Sequence, residues 1–160
     1  MDSRIVALDL DQHHAPGTVV PAAARAAAAS RGLLALAGRA LFAAIFLLTP
    51  LTHFAPQTIA YATQAGVPLA SLLVPLSGVL AFLGGLSVLL GYHAKIGAWL
   101  LVVFLVPVTL AMHNFWTVRD PMLAQLQMAM FFKNVALLGS ALLIAYHGAG
   151  ALSLDARRQA

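Results

Sequence analysis

The chain has 160 residues, of which 61% are hydrophobic and only 9% are charged, and its formal net charge at pH 7 is +4. A mean hydropathy of +0.89 excludes a soluble domain of ordinary composition and indicates an integral membrane protein. The basic residues form no stripe of the kind that a nucleic-acid site needs, so we expect no nucleic-acid partner. Cysteine is absent, which excludes disulfides, thiol relays and cysteine-ligated metal centres.

Residues 1–31 form a predicted cytoplasmic tail ahead of the first apolar run. Polar residues such as Asp9 and His13 interrupt the apolar core that a cleaved signal peptide would need, so we expect the tail to be retained. An alanine-rich tract at residues 22–30 has high helix propensity. It predicts a short helix that lies along the membrane interface.

Four apolar runs are long enough to cross a bilayer, which takes about 20 residues in a helix. They predict an all-α fold, an integral membrane four-helix bundle that forms one domain over residues 32–150. A short cytoplasmic tail is predicted at residues 151–160. The predicted spans lie at about 33–52, 69–90, 96–113 and 124–147.

The basic residues near the span ends are divided unevenly between the two sides of the membrane. The positive-inside rule assigns the more basic side to the cytoplasm, so both termini are predicted to be cytoplasmic. An even number of spans agrees with this orientation. The basic side carries Arg25, Arg31, Lys95, Arg157 and Arg158, whereas the other side carries only Arg119, beside Asp120.

Small residues line one face of the second predicted span. Ser77, Ala81 and Gly85 are four residues apart, and Gly84 lies next to them. Such a seam lets helix backbones approach closely in lipid, where no hydrophobic force drives helices together. We therefore expect these four residues to contact neighbouring helices.

Lys133 lies near the middle of the fourth predicted span, where a charge is costly and indicates a functional site. No Asp or Glu occurs between Asp11 and Asp120 or within the fourth span, so the spans supply no acid to pair with it. Its partners must be neutral groups such as Asn114, or an anion from a ligand, a lipid or a second protein. Partial snorkelling into a polar cavity is the alternative. Asn134, the next residue, can hydrogen-bond across helices.

Three further polar residues are predicted closer to the span ends. Arg39 lies about 9 Å inside the cytoplasmic end of the first span, and its long side chain can reach a lipid phosphate. His53 and His113 fall at the outer ends of their helices, where capping suits them better than ligation of a b-type haem. We expect no metal. His113 and Asn114 can instead form the polar mouth of a cavity above Lys133.

Several short motifs, taken in order, resemble the DoxX family of small bacterial membrane proteins. The resemblance covers about residues 36–158. The motifs are Arg39 followed by an apolar run to Pro50, then Ala65-Gly66-Val67-Pro68, Gly84-Gly85, Leu90-Gly91, His113-Asn114-Phe115, Phe131-Phe132-Lys133-Asn134 and the segment from Gly148 to Asp155.

The resemblance implies a four-helix protein of the bacterial inner membrane, similar to proteins associated with quinone-linked thiosulfate oxidation and with redox-stress complexes. It carries Arg39, Lys133 and Asn134 over as positions that match the family pattern. The chain departs from that pattern at Ala81, where many relatives have a glutamate, and near His53, where they have a lysine. The missing glutamate removes the obvious counter-ion of Lys133.

The leading hypothesis is an accessory or scaffold subunit of an inner-membrane redox or respiratory-stress assembly that binds a lipid or quinone near Lys133. Its expected partners are membrane lipid and either a redox-enzyme subunit or a second copy of the chain. The absence of cysteine and of a membrane carboxylate does not favour an enzyme. The alternatives are a quinone-linked oxidoreductase component, in which Lys133 and His113 donate to a quinone oxygen, and a small-molecule permeation protein, in which Lys133 sets anion preference.

Overall fold

The computed structural model describes residues 21–158, and the expectations for the first twenty residues lie outside this range. Within it the regular structure is helical, which confirms the predicted all-α fold. Four helices, which begin at Ala22, Ala70, Ala94 and Pro121, are long and apolar enough to cross a membrane. The helices are α1 (Ala22–Leu48), α2 (Pro56–Gln64), α3 (Ala70–Leu90), α4 (Ala94–Met112), α5 (Pro121–His147) and α6 (Leu154–Arg157), with 3₁₀ turns at Pro50–Phe54 and Phe115–Thr117.

Helix α1 joins the alanine-rich tract and the first apolar run in one continuous helix of 27 residues. The prediction of a separate helix at residues 22–30 is therefore wrong. No proline interrupts the chain between Pro21 and Pro50, and alanine favours continuation of a helix, so the alanine-rich tract extends α1. At 1.5 Å per residue α1 is about 40 Å long, about 10 Å more than the hydrocarbon core. It ends just before Pro50, whose ring excludes continuation of the helix.

Helices α3 and α4 form the central pair of the bundle. They are joined by a tight turn in which Gly91 and His93 both adopt left-handed backbone conformations, with φ of 63° and 47°. Helix α1 packs against α3, and α5 packs against α4. The shared core consists of Phe42 and Phe46 from α1, Ala81 and Val88 from α3, Ala98, Leu101 and Leu105 from α4, and Ala141 from α5.

The small residues of α3 face two different neighbours. A Cβ added at Gly84 would lie 2.8 Å from the Leu101 side chain and 2.9 Å from the Gly97 carbonyl oxygen of α4. A Cβ added at Gly85 would lie 2.7 Å from the Cβ of Phe46 in α1. The two adjacent glycines therefore let α3 approach α4 on one side and α1 on the other.

The remaining two residues of the predicted seam differ in their surroundings. Ala81 is buried in the core, with 2% of its surface exposed. Ser77 is half-buried and donates a hydrogen bond of 2.7 Å to the Val74 carbonyl of its own helix. Gly97, which the sequence did not single out, meets Gly84 from the facing helix, since a Cβ on Gly97 would lie 3.0 Å from the Gly84 oxygen.

We predict that Gly84→Ala lowers the thermal stability of the detergent-solubilised protein, whereas Gly38→Ala does not. The added methyl group at Gly84 meets Leu101 and backbone of α4, and such overpacking costs about 1–3 kcal/mol. A Cβ at Gly38 meets nothing within 4 Å, so that change should be neutral or stabilising by about 0.5–1 kcal/mol. The midpoint of thermal unfolding, followed by circular dichroism, measures both. Equal midpoints for the two variants would contradict the close α3–α4 contact.

Candidate functional site

Arg39 is buried in the structure, with 4% of its surface exposed. Its Nη2 donates a hydrogen bond to the carbonyl oxygen of Leu152, and its Nε and Nη1 have no hydrogen-bond partner. The expectation that Arg39 reaches lipid phosphate is therefore corrected. The side chain is enclosed because the segment after α5 folds back over it.

This C-terminal segment, residues 148–158, lies against the turn between α3 and α4. The backbone N–H of Asp155 donates to the Gly91 oxygen at 2.7 Å. The Asp155 carboxylate accepts the N–H of His93 at 2.8 Å and that of Ala94 at 3.0 Å. Asp155 thus occupies the first turn of α4 in the way that an N-cap residue does, although it lies 61 residues from Ala94 in the sequence.

Two further contacts hold the C-terminal segment in place. Ser153 is buried, and its hydroxyl donates to the Gly150 oxygen at 2.6 Å and accepts the N–H of Ala156 at 3.1 Å. The Arg158 guanidinium lies 5.2 Å from the centre of the Tyr92 ring, within the range of a cation–π interaction. Residues that the sequence suggested to be a simple tail therefore tie α1, α3 and α4 together.

The pKa of Asp155 is lowered from its ordinary value. The largest cause is the hydrogen bond from the Ala94 N–H, and the His93 N–H acts in the same direction, while partial burial opposes both. Hydrogen bonds to the charged form favour that form, so the carboxylate is ionised when it caps α4. It also places a negative charge at the positive end of the helix dipole.

Lys133 lies on an exposed face of α5, whereas the neighbouring Asn134 is buried with 5% of its surface exposed. Successive residues of a helix are separated by about 100°, so the two predicted ligand residues point in different directions. Ala129 and Ala136, which lie one turn before and one turn after Lys133, are exposed too. The structure thus places Lys133 outside the bundle rather than in an internal cavity.

His113 takes part in a polar chain at the opposite end of the bundle from Asp155. Its Nδ1 lies 2.8 Å from the Gln127 Oε1, and the Gln127 Nε2 donates to the Tyr61 hydroxyl at 3.0 Å. Asn114 is half-buried beside His113. These hydrogen bonds connect α4 to α2 and α5 through Gln127 and Tyr61, two residues that the sequence did not single out. The cavity above Lys133 that the sequence suggested stays a prediction.

His53 and His113 have separate surroundings. His53 is half-buried, with its ring centre 5.9 Å from that of Phe104 and its Nδ1 without a hydrogen-bond partner. His113 is bound to Gln127 instead. Across residues 21–158, no three His, Asp or Glu side chains come together in a way that could hold a metal ion.

These features define a class of protein, an α-helical membrane protein whose four long helices pack around a small apolar core and approach one another closely at glycines. Within that class, the family model of SURF4 matches residues 7–160, and the chain belongs to the SURF4 family. The DoxX assignment expected from the short motifs is wrong, because the match to SURF4 covers nearly the whole chain.

A relative with a known location is the inner membrane protein YphA of Escherichia coli strain K12. It is 28% identical over 131 residues, which cover 81% of this chain and 93% of YphA. No solved structure matches the chain. The similarity to YphA and the four long apolar helices both indicate that the chain is an integral membrane protein.

We predict that Asp155→Ala releases the C-terminal segment, whereas Asp120→Ala leaves it in place. Both residues cap a helix, since the Asp120 Oδ1 accepts the Leu123 N–H at 2.7 Å, but only Asp155 joins distant parts of the chain. Loss of a cap costs about 0.5–2 kcal/mol. Amide hydrogen exchange at His93 and Ala94 should accelerate in Asp155→Ala alone, and unchanged protection there would contradict the capping role.

The protection of the His93 and Ala94 amides against hydrogen exchange should also decrease as the pH falls. Because the folded-state pKa of Asp155 is lowered, the stabilisation that its ionised carboxylate gives is complete above the ordinary aspartate pKa of about 3.9. It is lost as the pH falls through the lower folded-state value. Acidification through this range should therefore loosen the segment in the unmodified protein and have little further effect on Asp155→Ala.

Proposed function

We propose that the chain is an accessory subunit of a bacterial inner-membrane assembly and that it docks on its partner through one face of α5. This surface, called here the Lys133 face, consists of Ala129, Lys133, Ala136 and Ser140. The observation that carries the proposal is the exposure of Lys133 in the middle of a span. The similarity to YphA, an inner membrane protein, supports the location.

The Lys133 face has the composition of a helix–helix interface. Its residues follow one another at intervals of four, three and four, so they lie on one side of α5. Ala129 and Ala136 are exposed and Ser140 is half-exposed. Small residues allow a second helix to approach closely in lipid. A cation between them supplies a specific point of attachment.

The depth of Lys133 decides what kind of partner can meet its charge. It lies about 18 Å from the first residue of α5 and about 21 Å from the last, at 1.5 Å per residue. Phosphate groups of lipids lie beyond the hydrocarbon core, about 15 Å from the bilayer centre. A lipid head group is therefore too far away, whereas a carboxylate on another transmembrane helix can lie at the same depth.

A second copy of the chain cannot supply that carboxylate. The sequence contains no Asp or Glu between Asp11 and Asp120 and none between Asp120 and Asp155. A homodimer formed through the Lys133 face would place two ammonium groups near each other without an acid. The partner we propose is thus a different protein with an Asp or Glu inside a membrane span. Removal of one member of such an ion pair in the membrane leaves the other charge unpaired, which is strongly unfavourable.

The hypothesis from sequence also included a redox or respiratory-stress setting and a quinone ligand. Membership of the SURF4 family and similarity to YphA support a membrane protein and carry no information on redox chemistry. An apolar groove of about 260 Å³ lies between α3 and α4, with Ser77 and Phe104 in its lining. Lys133 is not part of that lining, so the proposal does not depend on a quinone.

The test is native mass spectrometry of the protein extracted from bacterial inner membranes in mild detergent. The unmodified chain should appear in a complex with a second protein whose spans contain an Asp or Glu. Lys133→Leu removes the charge from an exposed position, so the bundle should remain folded while the complex is lost. Arg119→Leu is the matched control, since it removes one positive charge from an exposed position outside the spans.

Three results would contradict the proposal. The first is a monomer that carries only lipid, and the second is a homo-oligomer that survives Lys133→Leu. The third is a complex that Lys133→Leu and Arg119→Leu weaken equally. A thermal unfolding midpoint that is the same in both variants shows that loss of the complex does not come from misfolding.

A further inference from the structure

A cavity of about 550 Å³ lies where the C-terminal segment meets the ends of α4 and α5. We call it the C-terminal cavity and define it by His93, Lys95, His147, Ser153 and Asp155, which are among its lining residues. Its volume is within the range of small-molecule sites, about 300–1,000 Å³. We propose that it binds a phosphate group, either that of an anionic phospholipid or a free phosphate ion.

Within the part of the chain that the structure describes, the charged groups around the C-terminal cavity are mostly cations. Lys95 lines it, and the Lys95 Cε lies 3.5 Å from the position of a Cβ built on Gly148. Arg158 is adjacent, since its Nη1 lies 3.3 Å from the Nε2 of His93. The acid in the lining is Asp155, and both of its oxygens accept backbone N–H groups of α4. The Lys95 ammonium is therefore available to an anion.

Arg39 adds a second, independent observation. Its Nη1 contacts the position of a Cβ built on Gly91, which also meets the side chains of Ala149 and Ser153. Ala149 and Ser153 line the C-terminal cavity, so the guanidinium lies directly behind its wall. The Arg39 Nε and Nη1 are buried without hydrogen-bond partners.

A buried guanidinium with unpaired nitrogens, such as that of Arg39, destabilises the fold unless other charges compensate it. Asp155 supplies part of that compensation, since its backbone is hydrogen-bonded to Gly91, the residue that the Arg39 Nη1 approaches. Among residues 21–158, three positive charges, those of Lys95, Arg39 and Arg158, nevertheless face this single carboxylate. An anion in the C-terminal cavity would compensate the remainder through the wall, because charges separated by a few ångströms interact strongly where water is limited.

The position of the cavity suits a phosphate group. It lies at the first turn of α4 and the last turn of α5, and therefore at one end of the bundle. Lipid phosphates lie at this level, outside the hydrocarbon core. It is also distinct from the Lys133 face, since Lys133 and His147 are about 21 Å apart along α5. The proposal of an anion site and the proposal of a docking face can therefore be tested independently of each other.

The experiment uses the full-length protein in detergent, titrated with phosphatidylglycerol or with phosphatidylcholine and followed by native mass spectrometry. We expect one phosphatidylglycerol to bind more tightly than phosphatidylcholine, and Lys95→Gln to weaken that binding about fivefold, as removal of one basic residue near a lipid surface does. Raising the ionic strength should also weaken it. Arg119→Gln, an equal change of charge at an exposed position outside the spans, should leave the affinity unchanged.

Competition with inorganic phosphate distinguishes the two sources of the anion. If phosphate binds the lipid-free protein and displaces phosphatidylglycerol, the site accepts a free phosphate ion. If phosphatidylglycerol binds and phosphate does not displace it, the ligand is the lipid. Equal binding of the two lipids together with no binding of phosphate would overturn the proposal, as would an effect of Lys95→Gln no larger than that of Arg119→Gln. Lys95 is exposed, and an unchanged thermal midpoint confirms that the variant is folded.

Discussion

The structure depends on a constraint of charge, because the apolar runs at residues 33–52, 69–90, 96–113 and 124–147 contain two cations and no acid. Arg39 lies in α1 and Lys133 in α5, and no Asp or Glu lies between Asp11 and Asp120 or between Asp120 and Asp155. The two cations are accommodated differently. Arg39 is enclosed by the protein and donates to a backbone carbonyl, whereas Lys133 faces outward. Arg39 therefore has one hydrogen-bond partner within the chain, and for Lys133 we propose a partner from outside it.

The C-terminal segment is what makes the burial of Arg39 possible. It supplies the Leu152 carbonyl to Arg39 and the Asp155 carboxylate to the first turn of α4. The same few residues outside the spans thus give Arg39 one hydrogen-bond acceptor and cap the positive end of α4. The segment also closes one side of the C-terminal cavity, so the anion binding proposed there would depend on the residues that hold this end of the bundle together.

The parts of the fold that could be predicted are those that depend on nearby residues. Apolar length identifies four spans, and the spacing of Ser77, Ala81 and Gly85 marks a face of close packing, because both signals repeat along one helix. Arg39 and Leu152 are 113 residues apart, so no local pattern reveals their contact. The outward direction of Lys133 depends on how α5 is rotated against α4. Motifs of Gly, Leu and Phe are common in membrane helices, which is why they suggested the wrong family.

Photo-crosslinking in intact inner membranes tests most directly whether Lys133 is met by a partner. A photoreactive amino acid is placed at Ala136 on the Lys133 face or, as a control, at Leu72, which is exposed on α3. The account predicts one discrete product from position 136, containing a span with an Asp or Glu, that disappears when Lys133 is replaced by leucine. A product with a second copy of the chain, products with lipid alone, or equal products from position 72 would contradict it.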